Sequence, residues 1–217
     1  MIDWWGPVLD EYYGATEGIG ATFIDSAQWL AKPGSVGRAG TMGTVHIVGP
    51  DGAEVPVGEA GVIYFERDAL PFRYHGNPGG TAAVRHPDHP GWATVGDVGH
   101  LDEDGFLFLR DRQSHVIISG GVNVYPREVE DALALHPAVD DVAVVGEPDE
   151  VLGESVLALV KAAPGAASAG LPAELTAYTR ERLAHFKCPR RVELVRDLPR
   201  TPAGKLLKRA LRGEAGA

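Results

Sequence analysis

Four short stretches of this sequence place reactive side chains at spacings that suit work on a phosphate-bearing ligand. Tyr12-Tyr13-Gly14-Ala15-Thr16-Glu17-Gly18 gathers an aromatic face, a flexible backbone, a hydroxyl and a carboxylate. Those are the ingredients of a corner that stacks a base and holds a metal and a phosphate, and equally of a plain turn before a strand. Asp97, after Gly96, is a short carboxylate at a strand end that can accept from two sugar hydroxyls, or an ordinary turn aspartate. Gly120-Gly121 lets a ligand chain pass close to the backbone, or merely bends the chain. Lys205 follows Thr201-Pro202-Ala203-Gly204, a rigid turn that presents one ammonium at a fixed point, although most lysines are only solvated.

The elements that carry these residues differ along the chain. From Gly43 to Arg110 the pattern is short and β-like: Thr44–Val48, Gly61–Phe65 and Ala93–Val95 are rich in β-branched or aromatic residues. A long loop, Pro71 to Trp92, is rich in Gly, Pro and His. His100-Leu101 turns through Asp102-Glu103-Asp104-Gly105 into Phe106–Leu109, which reads as a hairpin closed by an Asp-Gly turn. After Arg112 the texture changes. A short strand, Val116–Ile118, ends in Ser119-Gly120-Gly121, and Pro126 opens a helix with acids at its positive end. Val129, Leu133 and Leu135 are its expected buried side. Strands are expected at Val139–Val145, Ser155–Val160 and Val192–Val195, a helix carrying Leu171, Leu175 and Tyr178, and a last basic helix from about Lys205. Residues 25–111 thus read as a β unit and 115–212 as a compact α+β unit.

Composition narrows the function classes. The 217 residues carry 20 Lys+Arg against 30 Asp+Glu, a net charge of −10, which argues against a general nucleic-acid binder. Basic residues concentrate between Arg180 and Arg212, an end that is either a solvated surface or a site for an anionic ligand. Phe186 is the one aromatic interleaved there, too few for a stacking platform on nucleic acid. The single cysteine, Cys188, allows no internal disulfide, no membrane span is present, and the first residues lack a signal peptide, so a cytoplasmic location is the default. His86-Pro87-Asp88-His89 has two imidazoles three apart, but the prolines make it a loop and no cysteine is near, which argues against a metal site.

Taken together and in order, four segments resemble the AMP-forming adenylate-forming superfamily, in particular acyl-CoA synthetases. They are Tyr13-Gly14-Ala15-Thr16-Glu17, Gly96-Asp97, the long run from Asp111-Arg112-Gln113-Ser114 to Glu130, and Leu198-Pro199-Arg200-Thr201-Pro202-Ala203-Gly204-Lys205. The long central run, taken with the Gly204-Lys205 ending of the last segment, is the specific part. The resemblance implies an enzyme that activates a carboxylate with ATP to acyl-AMP and pyrophosphate and passes the acyl group to CoA. It implies that Tyr13 stacks on adenine, Thr16 touches the α-phosphate, Glu17 holds Mg²⁺, and Asp97 and Arg112 bind the ribose hydroxyls. Ser114 becomes a hinge between half-reactions, Lys205 bridges carboxylate and α-phosphate, and Gly120 and Gly121 line the route of the pantetheine arm.

The fold implied is α/β and α+β. Residues 1–24 would end a nucleotide-binding core, 25–111 form a β-barrel-like subdomain, 112–114 the hinge, 115–212 a small mobile α+β C-terminal domain, and 213–217 a tail. The Gly/Ser/Thr-rich phosphate loop of the family, which precedes the Tyr-Gly-x-Thr-Glu segment, is not among these residues. The chain therefore reads as the C-terminal part of a fatty or aromatic acyl-CoA ligase, unable to complete adenylation unaided, with a complementing N-terminal half as a possible partner. The rival reading is a non-catalytic remnant that binds a nucleotide or a partner subunit.

Overall fold

The computed structural model describes residues 1–70 and 72–211; Arg212 and the expected tail, 213–217, lie outside the described residues. Packing divides the chain into two compact units, Met1–Gln113 and Ser114–Ala217.

The first unit opens with α1 (Ile2–Trp5), β1 (Asp10–Gly14), β2 (Ala21–Asp25), α2 (Ser26–Ala31) and β3 (Arg38–Ala39), and the three strands form an antiparallel sheet in chain order. Asp25 both ends β2 and starts α2. Its carboxylate accepts from the Gln28 N–H at 2.8 Å while the Gln28 side chain accepts from the Asp25 N–H, a reciprocal cap that satisfies two otherwise orphaned donors. Next come β4 (Thr44–Val48), β5 (Gly61–Glu66), α3 (Pro78–Ala83), β6 (Trp92–Ala93), β7 (Asp97–Leu101) and β8 (Leu107–Arg112). The expected long loop after Pro71 thus contains a helix, started by Pro78 in its first turn and by Asn77, whose side chain accepts from the Gly80 N–H. One face of the sheet buries Val45, Ile47, Ile63, Phe65, Ala93 and Leu107.

One expectation for this unit is corrected. The β-barrel-like subdomain is absent: the sheet has the order β4-β5-β7-β8 with β6 on β5, and among the described residues it does not close. The outer edges of β4 and β8 each meet only an isolated bridge, Val48 to Glu54 and Phe108 to Ser35. A closed barrel needs enough tilted, staggered strands to wrap around a filled interior, about eight in the common small barrels, and this sheet has five, one of them two residues long. The architecture is mixed α/β with open sheets. The β7–β8 hairpin closes through Asp102-Glu103-Asp104-Gly105, as the sequence suggests, with the Gly105 N–H donating to the Asp102 carbonyl at 3.0 Å. The Asp102 carboxylate accepts from the N–H groups of Asp104 and Phe106, and Gly105 supplies the left-handed residue at φ +76°.

In the second unit a 3₁₀ turn, Gln113–His115, leads into β9 (Ile117–Ser119), β10 (Val122–Val124), α4 (Pro126–Ala134), β11 (Val139–Asp149), β12 (Gly153–Ala162), α5 (Leu171–Arg180), β13 (Arg191–Leu194) and α6 (Lys208–Leu211). The sheet runs β10-β9-β12-β11, with β13 parallel to β12. β11 and β12 are buried on both faces. Val142, Val144, Val156, Ala158 and Val160 pack with Val129 and Leu133 of α4 and Leu171 and Leu175 of α5. Ala143, Val145, Leu157 and Leu159 pack with Leu198, Val195, Leu206 and Leu211. Continuous apolar runs suit strands covered on both sides. Leu135, expected inside, is 77 % exposed, because it follows Leu133 by two residues, about 200° round the helix from the face that buries Val129 and Leu133.

Candidate functional site

Asp97 and Arg112 sit directly opposite one another on the antiparallel β7 and β8, so their side chains leave the same face of the sheet. The Arg112 Nε lies 3.2 Å from Asp97 Oδ1, and the Tyr13 hydroxyl donates to Asp97 Oδ2 at 2.6 Å. Both carboxylate oxygens are therefore held, each keeping a lone pair for a further donor. Gly96 before Asp97 has φ +81°, its N–H donates to Thr94 Oγ1, and its carbonyl accepts from the Gln113 N–H at 2.7 Å, which fixes where the strand begins. Tyr13 is half-buried against Phe65, their ring centroids 6.2 Å apart. Burial pushes its phenol well above the ordinary tyrosine range, and the Asp97 carboxylate adds to this, so the hydroxyl stays a donor at any physiological pH.

Thr16 and Glu17 occupy the turn that follows β1. Thr16 Oγ1 donates to Glu17 Oε2 at 3.1 Å. Glu17 Oε1 accepts at 2.9 Å from the hydroxyl of Tyr74, 57 residues away. A hydrogen bond from its own N–H holds the Glu17 carboxyl below the usual carboxylate range, helped by the Tyr74 and Thr16 hydroxyls and the Arg112 charge. Arg67 Nη1 donates to the Gly18 carbonyl at 2.9 Å. Tyr74 and Arg67 were not singled out from the sequence. Each stands in a stretch with no spacing signal, and only the tertiary fold brings it to the turn.

The other expected residues lie in the second unit. Ser114 is exposed, in the 3₁₀ turn that begins it. Gly120 and Gly121, at φ +59° and +80°, are the two-residue connection between β9 and β10, where Ser119 pairs with Val122. Two left-handed residues are what a tight hairpin of this twist demands, so both glycines have a backbone reason to be there. Gly120 also borders a cavity of about 510 Å³ with Arg180, His185, Phe186 and Arg190. A larger cavity of about 710 Å³, lined by Ile2, Leu9, Tyr12, Ile24, Trp29 and Leu30 among others, includes none of the expected site residues.

Lys205 closes a turn in which its N–H donates to Thr201 Oγ1, its carbonyl accepts from the Thr201 N–H, and the Gly204 N–H donates to the Thr201 carbonyl. Arg200 pins that turn to β11, donating to the Gly204 carbonyl at 2.8 Å and to Asp141 Oδ2 at 2.6 Å. Leu198 and Leu206 bury on the sheet on either side, and the ammonium of Lys208 meets Glu130 at 2.7 Å with both side chains nearly buried. The Lys205 side chain itself is exposed. His86 is buried and occupied structurally: Nε2 lies 3.1 Å from the Gly52 carbonyl and Nδ1 accepts from the Asp88 N–H. Among the described residues no cluster of three or more His, Cys, Asp or Glu is arranged to hold a metal, and no helix is long and apolar enough to cross a membrane.

Known proteins resemble this chain in sequence and fold. Residues 128–205 match the AMP-binding enzyme C-terminal domain. The chain is 38 % identical over 206 residues to a long-chain-fatty-acid–CoA ligase of Mycobacterium tuberculosis, covering 94 % of this chain and 40 % of the relative. Against a feruloyl-CoA synthase of an Amycolatopsis species it is 40 % identical over 205 residues, covering 94 % of this chain and 41 % of the relative. The o-succinylbenzoate CoA synthetase of Bacillus subtilis, solved in complex with its acyl-adenylate intermediate, superposes with a TM-score of 0.83 at 34 % identity, covering 95 % of this chain and 41 % of that one. The chain belongs to the adenylate-forming acyl-CoA ligase superfamily. It corresponds to the C-terminal, AMP-binding region of such proteins and spans about two fifths of the length of the curated relatives it matches. The superfamily also includes chemistry beyond thioesters, since an amide bond synthetase of Marinactinospora thermotolerans superposes with a TM-score of 0.81 at 37 % identity over 99 % of this chain and 43 % of that one.

Proposed function

We propose that this chain forms part of an ATP-dependent acid–thiol ligase. In the first half-reaction a carboxylate oxygen attacks the α-phosphorus of ATP, the bond to the β-phosphate oxygen breaks, and pyrophosphate leaves with that electron pair. In the second, the sulfur of CoA attacks the acyl carbon and AMP departs. The observation that carries this reading is the Asp97 carboxylate, held from both sides by Tyr13 and Arg112 with a lone pair left on each oxygen for a ribose hydroxyl. The Tyr13 ring stacks on adenine in this reading, and Arg112 joins Asp97 at the ribose.

Thr16 meets the α-phosphate. Glu17 suits Mg²⁺: a single carboxylate kept ionised by its neighbours fits an ion that takes one or two carboxylates and completes its shell with water and substrate phosphates. Magnesium, when bound, neutralises charge on the phosphates. Lys205 places a fixed ammonium where two anions must meet, the kind of preorganised charge that lowers a barrier most. Ser114 acts as the hinge within 112–114 about which the C-terminal domain, 115–212, moves between half-reactions, and Gly120 and Gly121 border the approach of the pantetheine thiol. Residues 1–24 end the nucleotide-binding core in this reading. A small-molecule carboxylate and CoA are the partners, a complementing N-terminal half supplies the β- and γ-phosphate contacts, and the cytoplasm is the compartment.

Calorimetric titration of the purified chain with a non-hydrolysable acyl-adenylate analogue tests this. Binding is expected, weakened roughly 30- to 100-fold by Asp97→Ala, the loss of about 2–3 kcal/mol of hydrogen bonding to a charged acceptor. A folded chain that does not bind the analogue would favour the remnant reading.

A further inference from the structure

The turn that carries Thr16, Glu17 and Gly18 is braced from one distant segment at two points. Arg67, just past β5, donates to the Gly18 carbonyl at 2.9 Å, and its own N–H donates to the Gly91 carbonyl. Seven residues on, Tyr74 donates its hydroxyl to Glu17 Oε1. Tyr74 is itself mounted on a built support. Its N–H donates to Thr81 Oγ1 at 2.9 Å, the Thr81 hydroxyl donates to the Asn77 carbonyl, and Asn77 caps α3. Phe72 packs edge-on to its ring at 5.3 Å. A phenol serving only as core filler does not need three linked hydrogen bonds behind it to aim its oxygen at one carboxylate.

We propose that Tyr74 is a positioning residue for the Glu17 carboxylate, with Arg67 holding the turn on which Glu17 stands. This rests on the reading of Glu17 as the residue that meets the cation. With Oε2 tied to Thr16 and Oε1 tied to Tyr74, the carboxylate plane is held in one orientation. Outer partners that orient a ligating carboxylate typically contribute about 10- to 100-fold to cation affinity when lost.

The test is the affinity of the purified chain for ATP, measured by calorimetry with Mg²⁺ and with EDTA, so that the readout is the gain due to the cation and not activity. Tyr74→Phe removes one oxygen. The expected result is a loss of roughly tenfold or more in the Mg²⁺-dependent gain, with the affinity in EDTA and the thermal midpoint unchanged. Glu17→Gln separates the two ideas. If Glu17→Gln abolishes the gain and Tyr74→Phe leaves it whole, the positioning role is wrong while the Glu17 reading stands. If Glu17→Gln leaves the gain whole, or the wild-type chain shows none, the Glu17 reading fails and takes the positioning role with it. If Tyr74→Phe lowers affinity equally with and without Mg²⁺, Tyr74 supports the fold alone and the proposal is overturned. Arg67→Met, which removes the bond to Gly18 without touching Glu17, gives a second variant and is expected to reduce the same gain.

Discussion

The Asp97 carboxylate is held by Tyr13 on one oxygen and by Arg112 on the other, and in the proposed function it meets the ribose. Tyr13 then has two separable roles in that proposal, a ring beside the ligand and a hydroxyl that orients Asp97. Tyr13→Phe keeps the first and deletes the second. Its expected effect is about a tenfold loss in preference for ribose over dideoxyribose adenylates, read by competition titration; an unchanged preference would show that the hydroxyl is idle. Lys205 is the opposite case. Its side chain is exposed, so Lys205→Ala should change folding stability by less than about 0.5 kcal/mol. In an enzyme assembled with the proposed complementing N-terminal half, the same substitution should abolish adenylation yet spare thioester formation from supplied acyl-AMP. Equal loss of both half-reactions would sink the role given to Lys205.

At the scale of elements, the β9–β10 hairpin and α4 make claims that stability measurements can settle. Gly121 has φ +80° with open space around its missing Cβ, so the cost of a side chain there is backbone strain and not a clash. Gly121→Asn is expected to be tolerated and Gly121→Val to cost on the order of 1–2 kcal/mol, seen as a lower urea midpoint at unchanged slope. In α4, Leu133 is fully buried and Leu135 is not. Leu133→Ala should cost about 2–5 kcal/mol and Leu135→Ala close to nothing. Comparable losses would mean that the helix turns its apolar side differently. The same elements show what pattern reading reaches. The helix start at Pro126 and the strands flanking it follow from local residue types, and the exposure of Leu135 follows from the helical period, which puts a residue two after Leu133 on the other face.

Across the whole molecule, acid stability should track carboxylates held below their ordinary range. Asp149 is the clearest. Backbone N–H groups of Leu152 and Val151 hold it down, with Arg190 beside it, at the turn between β11 and β12. A depressed pKa in the folded state means that Asp149 stabilises the fold above the unfolded value near 4 and that this is lost as pH falls through the folded pKa. Urea unfolding across the acid range should show Asp149→Asn flattening the decline below about pH 4; an unaltered acid limb would remove Asp149 from the account. The net charge, −10 at neutral pH, passes through zero near pH 5.2, so in the acid range the overall repulsion is between positive charges.

Residue types and short spacings marked out the Tyr13–Glu17 corner, Asp97 after Gly96, Gly120-Gly121 and the Thr201–Lys205 turn as candidates, each with an ordinary structural alternative, and only the family resemblance, carried chiefly by the run from Asp111 through Glu130, gave them a chemistry. They also determined most strands of the second unit, since runs buried on both faces are continuous in sequence. Tertiary structure alone decided the rest. The open sheet, in place of the expected barrel, follows from strand number and stagger, which the two-residue alternation of a strand does not encode. The Tyr13 hydroxyl meets Asp97 across 84 residues and the Tyr74 hydroxyl meets Glu17 across 57. A hydrogen bond carries no periodicity, so partners this far apart leave no mark in either local sequence and exist only once the sheets have packed.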